Sequence, residues 1–377
     1  MTIPLSVLDL APIAAGSSAR QALRNSVELA QLAERWGYRR YWVAEHHFAQ
    51  VASSSTATLV ALLTSATKNI RVGSAAIQLG HHTPVAIVEA FGTIDALFPG
   101  RLDLGLGRSA YRAAQQPARR TTAVAAEKTA SRSVQGVVIP APFVQTQPIS
   151  PTNLDAWKEV LPFPDTDAAD FGQQVRDVLS LIDGTFRTTS GVELHAVPGE
   201  SAFVQPWLFG SSAHGSARLA GELGLPFAAS YHVSPSNILE TVEAYRDSFR
   251  PSSRFPRPYL AVSADVVVAS DDATASHRAA TYGHWVHSIR SGQGTGAAHY
   301  LDPDTTAPLD EDARQLVLDR VSTQMVGSAA TVSDRLNALQ RLTSADELVI
   351  TSVTHSQQHR LESHRLLAET WGLRSLG

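Results

Sequence analysis

Apolar residues along the chain group into short runs that alternate with longer stretches of helical spacing. The short runs predict eight strands, at residues 3–10, 41–44, 70–79, 101–106, 206–209, 226–230, 259–269 and 347–351. The longer stretches predict helices, at residues 19–36, 56–67, 85–97, 216–223, 235–249, 273–289, 331–342 and 359–371. Repeated strand–helix units favour a parallel sheet, and eight of them favour a closed (β/α)8 TIM barrel, an α/β fold spanning residues 1–377 as one domain.

Two stretches interrupt this alternation. Residues 110–168 contain seven prolines and no clear period, which is typical of a functional loop or of a disordered segment. Because this insertion follows the fourth strand, a barrel would place it on the active-site face, where it would act as a lid or remain a surface insertion. Residues 291–310, rich in glycine and proline, predict a second mobile loop after the seventh strand.

Composition narrows the class of protein. The 377 residues are 44% hydrophobic and 18% charged with a net charge of -4, as in soluble globular proteins. Charges of both signs are mixed along the chain, which argues against a nucleic-acid groove or a membrane-binding patch. The absence of cysteine excludes disulfides and thiol catalysis. With no secretory signal and no apolar run of about 18 residues, we expect a cytoplasmic protein.

The run from Tyr41 to Phe48 places three titratable residues at the end of a buried strand. Glu45, His46 and His47 follow the apolar residues directly, and a parallel barrel keeps its active site at such strand ends. Side chains at a strand end can also simply be solvated. Adjacent histidines point to opposite faces of a strand, and the chain has no His-x-His pair, so we predict no metal site. A neutral imidazole suits proton transfer instead.

Three further segments predict a ligand site. Gly105-Leu106-Gly107-Arg108-Ser109-Ala110 fits the dinucleotide pattern only weakly, since three strand–helix units precede it, but its glycines would admit a planar ligand beside the Arg108 cation. The turn Gly210–Ala217 carries serines and glycines where a helix begins, which favours either phosphate binding or ordinary N-capping. The small residues from Gly73 to Leu79 indicate a flat wall for an aromatic ring, or tight packing against a neighbour.

Together these motifs resemble one family, the bacterial luciferase-like flavin-dependent monooxygenases. The resemblance rests on Ala44-Glu45-His46-His47, Ser74-Ala75-Ala76, the run from Pro99 to Arg108, and Gly210-Ser211-Ser212. The opening residues 4–10 and the tail segments 345–348 and 360–364 resemble a subgroup called luciferase-like class oxidoreductases. The similarity covers nearly the whole chain except about residues 110–168, and the order and spacing of the motifs are specific.

The resemblance implies a TIM barrel, often a homodimer, that takes up reduced FMN supplied by a separate flavin reductase. Reduced FMN and O2 would form a C4a-peroxyflavin that oxygenates a small organic substrate. The resemblance further implies that His46 acts in this chemistry and that Ala75-Ala76 forms a cis peptide beside the flavin ring. We interpret Glu45 as an orienting partner rather than as a base. The residues implied to bind the cofactor are Ala75, Ala76, Gly107, Arg108, Ser211, Ser212, Gly215 and Ser216, and those implied to line the pocket are His47, Tyr111 and His232.

The chain departs from the subgroup after Arg108. The subgroup commonly continues with Ala-Pro-Gly, whereas this chain continues with Ser109-Ala110-Tyr111-Arg112 into the insertion, which leaves the substrate open. An F420-dependent oxidoreductase is an alternative, because basic residues of the insertion would suit the acidic tail of F420; these are Arg112, Arg119, Arg120 and Arg132. A flavin-binding homologue without catalytic activity is a second alternative.

Overall fold

The computed structural model describes residues 3–108, 131–143, 156–157, 159–161, 171–291 and 298–374. Its strands are β1 (Leu5–Asp9), β2 (Arg40–Val43), β3 (Arg71–Ser74), β4 (Ile77–Leu79), β5 (Leu102–Arg108), β6 (Arg132–Val134), β7 (Val137–Ile139), β8 (Gln205–Gly210), β9 (Phe227–Ala229), β10 (Leu260–Ala269), β11 (Met325–Ser328) and β12 (Glu347–Thr351). Parallel pairing runs in the order β1, β2, β3, β5, β8, β9, β10, β12 and returns to β1. The predicted eight-stranded barrel is therefore confirmed.

Helices surround the barrel between successive strands. They are α1 (Ala19–Trp36), α2 (Thr56–Ala66), α3 (Pro84–Leu97), α4 (Phe171–Ile182), α5 (Arg218–Glu222), α6 (Ile238–Ser248), α7 (Asp272–Ala279), α8 (Tyr282–Arg290), α9 (Glu311–Thr323), α10 (Ala329–Thr343) and α11 (Gln357–Trp371). Helix α1 shows how local sequence sets these bounds: the Ser18 side chain accepts a hydrogen bond from Gln21 N, and Gly37 ends the helix at φ 85°. None of the described helices is both long enough and apolar enough to cross a membrane.

Three predicted elements differ from the structure. The third predicted strand is divided into β3 and β4 by the cis peptide bond Ala75–Ala76. The predicted helix 273–289 is two helices, α7 and α8, and the Thr281 hydroxyl between them donates to the Leu301 carbonyl at 2.9 Å. The predicted helix 216–223 begins as a π-helical turn, Ala213–Ala217, and continues as α5. Helices α4 and α9 and strand β11, which pairs with β10 outside the barrel ring, were not predicted.

The described parts of the insertion contact the end of the barrel where the strands finish. Strands β6 and β7 form an antiparallel hairpin, and the Tyr231 hydroxyl, just after β9, donates to the Val138 carbonyl at 2.7 Å. The Trp157 ring stacks on Phe48 with centroids 5.8 Å apart. These segments therefore lie beside the residues that follow β2 and β9.

An ion network fills the opposite end of the barrel, which we call the floor. Arg40 donates to both Asp103 oxygens, at 2.9 and 2.8 Å, and to Glu347 Oε2 at 3.1 Å. The Trp42 indole donates to Asp103 at 2.9 Å, and the Tyr259 hydroxyl donates to Glu347 at 2.7 Å. All three charged side chains are buried. Because each buried charge has an opposite charge and hydrogen-bonding partners, the network avoids the cost of an unpaired buried ion.

Candidate functional site

The predicted site residues gather at the barrel end opposite the floor, which we call the mouth. Glu45 follows β2, the Ala75–Ala76 bond lies between β3 and β4, and Arg108 ends β5. Hydrogen bonds join these neighbours: Ala75 N donates to Val43 O at 2.7 Å, the Gln78 side chain donates to Glu45 O at 2.6 Å, and β4 pairs with β5 as far as Arg108. Three successive strand ends therefore present one continuous rim.

Glu45 binds two histidines rather than one. Its Oε1 atom lies 3.2 Å from His47 Nε2 and 3.0 Å from His82 Nε2. Burial opposes ionisation of this carboxyl, but hydrogen bonds from His47 and His82 outweigh that effect and lower the pKa of Glu45. The hydrogen bond to Glu45 raises the pKa of His82. Glu45 therefore orients His47 and His82, and its Oε2 atom has no hydrogen-bond partner within the described residues.

Among the described residues, His46 does not share the hydrogen bonds of this group. Its backbone N–H donates to the Ser53 carbonyl at 3.2 Å, and its buried Nδ1 atom has no hydrogen-bond partner among the residues described. Burial lowers the pKa of the His46 imidazole, which favours the neutral form. A neutral ring with an unpaired nitrogen can give or take a hydrogen bond from a bound molecule.

Small residues make a wall beside these groups. Ala75 and Ala76 are half-buried, and their peptide bond is cis, as the resemblance implied. A Cβ built on Gly107 would lie only 3.0 Å from the Ala76 Cβ, so these two residues form one close-packed surface. At Gly73 tight packing is the reason for the small residue, since a Cβ there would overlap the Asp103 backbone.

The Arg108 side chain contacts the turn after β8, Gly210–Ala217. A Cβ built on Gly215 would overlap the Arg108 guanidinium, which therefore lies directly over the turn. This guanidinium is exposed and has no hydrogen-bond or ion-pair partner in the part of the chain that the structure describes. Ser212 makes no capping hydrogen bond, and Ser216 packs against Gly210. N-capping therefore does not explain these serines, and a free cation beside a glycine–serine turn can bind an anion.

His232 follows β9, which is three strands along the barrel from β3. It therefore lies across the mouth from Ala75–Ala76. Its Nδ1 atom is 2.5 Å from the Ser263 hydroxyl. Burial, together with the nearby charges of Arg320 and His46, lowers the pKa of His232 to about 3. At neutral pH this imidazole is therefore uncharged, which suits a pocket that excludes water.

A buried cluster at the mouth was not predicted from the sequence. Arg320 Nη2 lies 2.8 Å from the Tyr282 hydroxyl and 3.4 Å from Asp265, and Tyr282 also donates to Asp265. Burial raises the pKa of Asp265 although Arg320 opposes the shift. Asp265 could have been identified from the sequence, because it is the one charged residue in the largely apolar segment 259–269. No role was predicted for His82, and the predicted pocket residue Tyr111 lies outside the described residues.

Comparisons with known proteins identify the family of this chain. The model of the luciferase-like monooxygenase family matches residues 3–130 and 167–346. An uncharacterised protein, YvbT of Bacillus subtilis (strain 168), is 34% identical over 97% of this chain and 96% of its own length. A luciferase-like monooxygenase of Escherichia coli (strain K12) is 32% identical, again over 97% of this chain and 96% of its own.

Solved structures share the fold. Apo-MsnO8 has a TM-score of 0.75 at 29% identity and covers 99% of this chain and 98% of its own. A type II Baeyer–Villiger monooxygenase in complex with FMN has a TM-score of 0.62 at 18% identity, covering 98% and 97%. An F420-dependent secondary alcohol dehydrogenase has a TM-score of 0.61 at 13% identity, covering 98% and 99%, so these two show the fold alone. From the family model and the two sequence relatives it follows that the chain belongs to the luciferase-like monooxygenase family.

Proposed function

We propose that this protein is a monooxygenase that uses reduced FMN, O2 and a small organic substrate, with a separate flavin reductase as the source of reduced flavin. The observation that carries the proposal is the position of Arg108. Its guanidinium, which has no partner among the described residues, lies over Gly215, and the preceding residue, Gly107, packs against Ala76. A phosphate-binding cation and a flat wall for a ring are therefore adjacent, as a molecule carrying both groups requires.

The residues present at the mouth fit this cofactor. Ala75, Ala76 and Gly107 would contact the ring, because none of them has a side chain that projects beyond a methyl group. Arg108 would pair with the phosphate, and the turn that contains Ser211, Ser212, Gly215 and Ser216 would add backbone N–H and hydroxyl donors. When bound, reduced FMN supplies two electrons to O2, so that one oxygen atom enters the substrate and the other leaves as water.

His46 would handle the proton at the reacting oxygen. Its uncharged imidazole has an unpaired buried nitrogen, and it lies close enough to His232 for a charge on His46 to affect the pKa of His232. His47 is held by Glu45 and therefore would line the pocket in a fixed orientation. Glu45 is thus an orienting partner of His47 and His82, and not of His46.

The cofactor assignment is tested by titrating FMN into the protein. Removing the cation in Arg108→Ala should weaken FMN binding about 10- to 100-fold, because a hydrogen bond to a charged group contributes about 1.5–3 kcal/mol. Arg132→Ala is the matched control, since Arg132 is an exposed arginine on the β6–β7 hairpin. Equal FMN affinity of the Arg108 variant and the control would contradict the phosphate assignment.

The role of His46 needs a separate measurement. We expect His46→Ala to bind FMN within about threefold of the wild type, since His46 is not part of the anion site. Its bound reduced flavin should be reoxidised by O2 at a rate changed by about tenfold or more, measured by stopped-flow absorbance, because general acid–base groups contribute about 10²–10⁴-fold. An unchanged reoxidation rate in His46→Ala would remove His46 from the chemistry.

F420 is the second candidate cofactor, and one observation supports it. Arg132 is exposed on the hairpin that packs beside the mouth, where an acidic tail extending from the ring would pass. The other arginines of this hypothesis, Arg112, Arg119 and Arg120, lie outside the described residues. Parallel titration of FMN and F420 separates the two, and for F420 the Arg132→Ala variant would weaken binding while for FMN it would not.

A further inference from the structure

We propose that Glu45, His47 and His82 form a binding site for a divalent transition-metal ion, with Zn²⁺ as the reference ion. The donor atoms are a Glu45 carboxylate oxygen and the Nε2 atoms of both histidines, and all lie within 4.8 Å of one another. Two imidazoles and one carboxylate are a ligand set that zinc uses in proteins when a fourth position is left for water. This proposal does not depend on the proposed flavin chemistry.

The spacing of the donor atoms suits a tetrahedral ion. Bond lengths of about 2.0–2.1 Å place two ligands of a tetrahedral zinc about 3.3 Å apart. Glu45 Oε1 is 3.2 Å from His47 Nε2 and 3.0 Å from His82 Nε2. The histidine ligand atoms lie within 4.8 Å of each other, so an ion that replaces the two hydrogen bonds would draw the two imidazoles together toward a spacing of about 3.3 Å.

The second carboxylate oxygen provides an independent reason for a cation. Glu45 Oε2 is buried and has no hydrogen-bond partner among the described residues, and the Glu45 side chain is 0% exposed. An unsatisfied buried carboxylate oxygen is costly unless a donor or a cation is nearby. An ion bound to Glu45 would supply the missing positive charge.

The cluster is open on one side. The His47 and His82 side chains are 22% and 37% exposed, so an ion can reach the donor atoms from solvent and keep a water ligand. Glu45 and His47 come from the segment after β2, whereas His82 lies just before Thr83, which caps α3. A bound ion would therefore clamp the loop after β2 to the loop before α3.

The sequence argument against a metal concerned a different pair. It compared His46 with His47, which are adjacent; in the structure His47 binds Glu45, whereas His46 Nδ1 has no partner among the described residues. The metal-binding pair is Glu45 and His47, two residues apart, whose side chains return to one side. The third ligand, His82, is brought in by the neighbouring strand and cannot be paired with Glu45 from sequence spacing alone.

The test is binding of Zn²⁺ and Co²⁺ to metal-free, flavin-free protein, measured by isothermal titration calorimetry and by metal content after dialysis. We expect one ion per chain in the wild type, and for Co²⁺ the visible absorption of a tetrahedral site. His82→Ala should weaken binding by about 100-fold or more, because a three-ligand site would lose one ligand. His214→Ala is the control, since His214 is an exposed histidine whose nearest acid is Glu240.

The outcomes are distinct. Equal Zn²⁺ affinity in the wild type, His82→Ala and His214→Ala would show only adventitious surface binding and would overturn the proposal, as would failure of the wild type to bind either ion. Circular dichroism and the melting temperature of His82→Ala without metal show that the variant is folded. With metal added, the melting temperature should rise in the wild type and in His214→Ala but not in His82→Ala. Since FMN titration is a separate measurement, loss of either proposal leaves the other standing.

Discussion

The floor and the mouth of this barrel both bury charged and polar side chains, but they treat them differently. At the floor, Arg40, Asp103 and Glu347 are joined by short hydrogen bonds that satisfy both acids. At the mouth, several buried polar atoms have no partner within the described residues, namely Glu45 Oε2, His46 Nδ1, Trp285 Nε1, Tyr300 Oη and Arg320 Nε. The floor also has one such atom, Trp207 Nε1 beside Arg40, but its charged groups are all paired, whereas the mouth leaves a charged group and several polar ones without partners among the described residues, as the proposed ligand site requires.

The largest expected loss of stability comes from removing Arg40, the central cation of the floor. We expect Arg40→Met to lower the free energy of unfolding by about 3–5 kcal/mol, because Asp103 and Glu347 would remain buried without their main partner. The measurement is urea unfolding followed by circular dichroism. Arg39→Met is the control, since Arg39 is 49% exposed and lies 3.8 Å from the same Glu347, so its loss should cost at most about 1 kcal/mol. Equal losses in both variants would mean that the floor network is not a source of stability.

A pair of tryptophans compares the two ends with the same substitution. Trp42 at the floor donates to Asp103 at 2.9 Å, whereas Trp285 at the mouth is buried but donates to none of the described residues. Trp42→Phe should therefore cost about 2–3 kcal/mol more than Trp285→Phe, since a hydrogen bond to a charged group contributes about that much. Both free energies come from urea unfolding. If Trp285→Phe were as costly as Trp42→Phe, the unpaired indole at the mouth would have a structural role.

The buried His232 at the mouth should also affect how the stability of the protein depends on pH. Burial, Arg320 and His46 hold the pKa of His232 at about 3 in the folded protein, below its ordinary value of 6.5. As the pH falls below about 6.5, the unfolded chain takes up this proton first, so stability is lost as the pH decreases. Between pH 7 and 5 the wild type should lose about 1–2 kcal/mol more than His232→Asn. Parallel pH profiles for the two proteins would show that His232 is not held neutral by the fold.

The sequence predicts the framework of this contrast but only part of its contents. Strand and helix periods locate all eight barrel strands, because most positions of each strand are buried. Helix α9 escapes prediction since two of its buried positions, Arg320 and Thr323, are polar and interrupt the apolar stripe. The stripe of α4 is regular, with Val175 and Val178 buried, and was missed beside the irregular insertion.

The side chains that meet at the site are brought together by closure of the barrel. Their partners therefore cannot be predicted from the sequence alone. The resemblance placed Glu45 and His46 in one motif, yet the carboxylate binds His82, which lies 37 positions away. Asp265 meets Arg320 across 55 positions. A period shows that a residue faces the interior, but the partner it meets there is fixed by strand order and register.

The smallest expected effect lies between the two ends, at Ser74. Its hydroxyl donates to Gly105 O at 2.9 Å and accepts from Gly105 N at 3.0 Å, beyond the point where β3 and β5 stop pairing through their backbones. Ser74→Ala should cost about 1 kcal/mol in urea unfolding, because both Gly105 groups lose a partner. Thr64→Val is the control, since the Thr64 hydroxyl only donates to a helix carbonyl, and it should be nearly neutral. Equal stability of these two variants would mean that the middle of the barrel tolerates unpaired groups as the mouth does, and that pairing is confined to the floor.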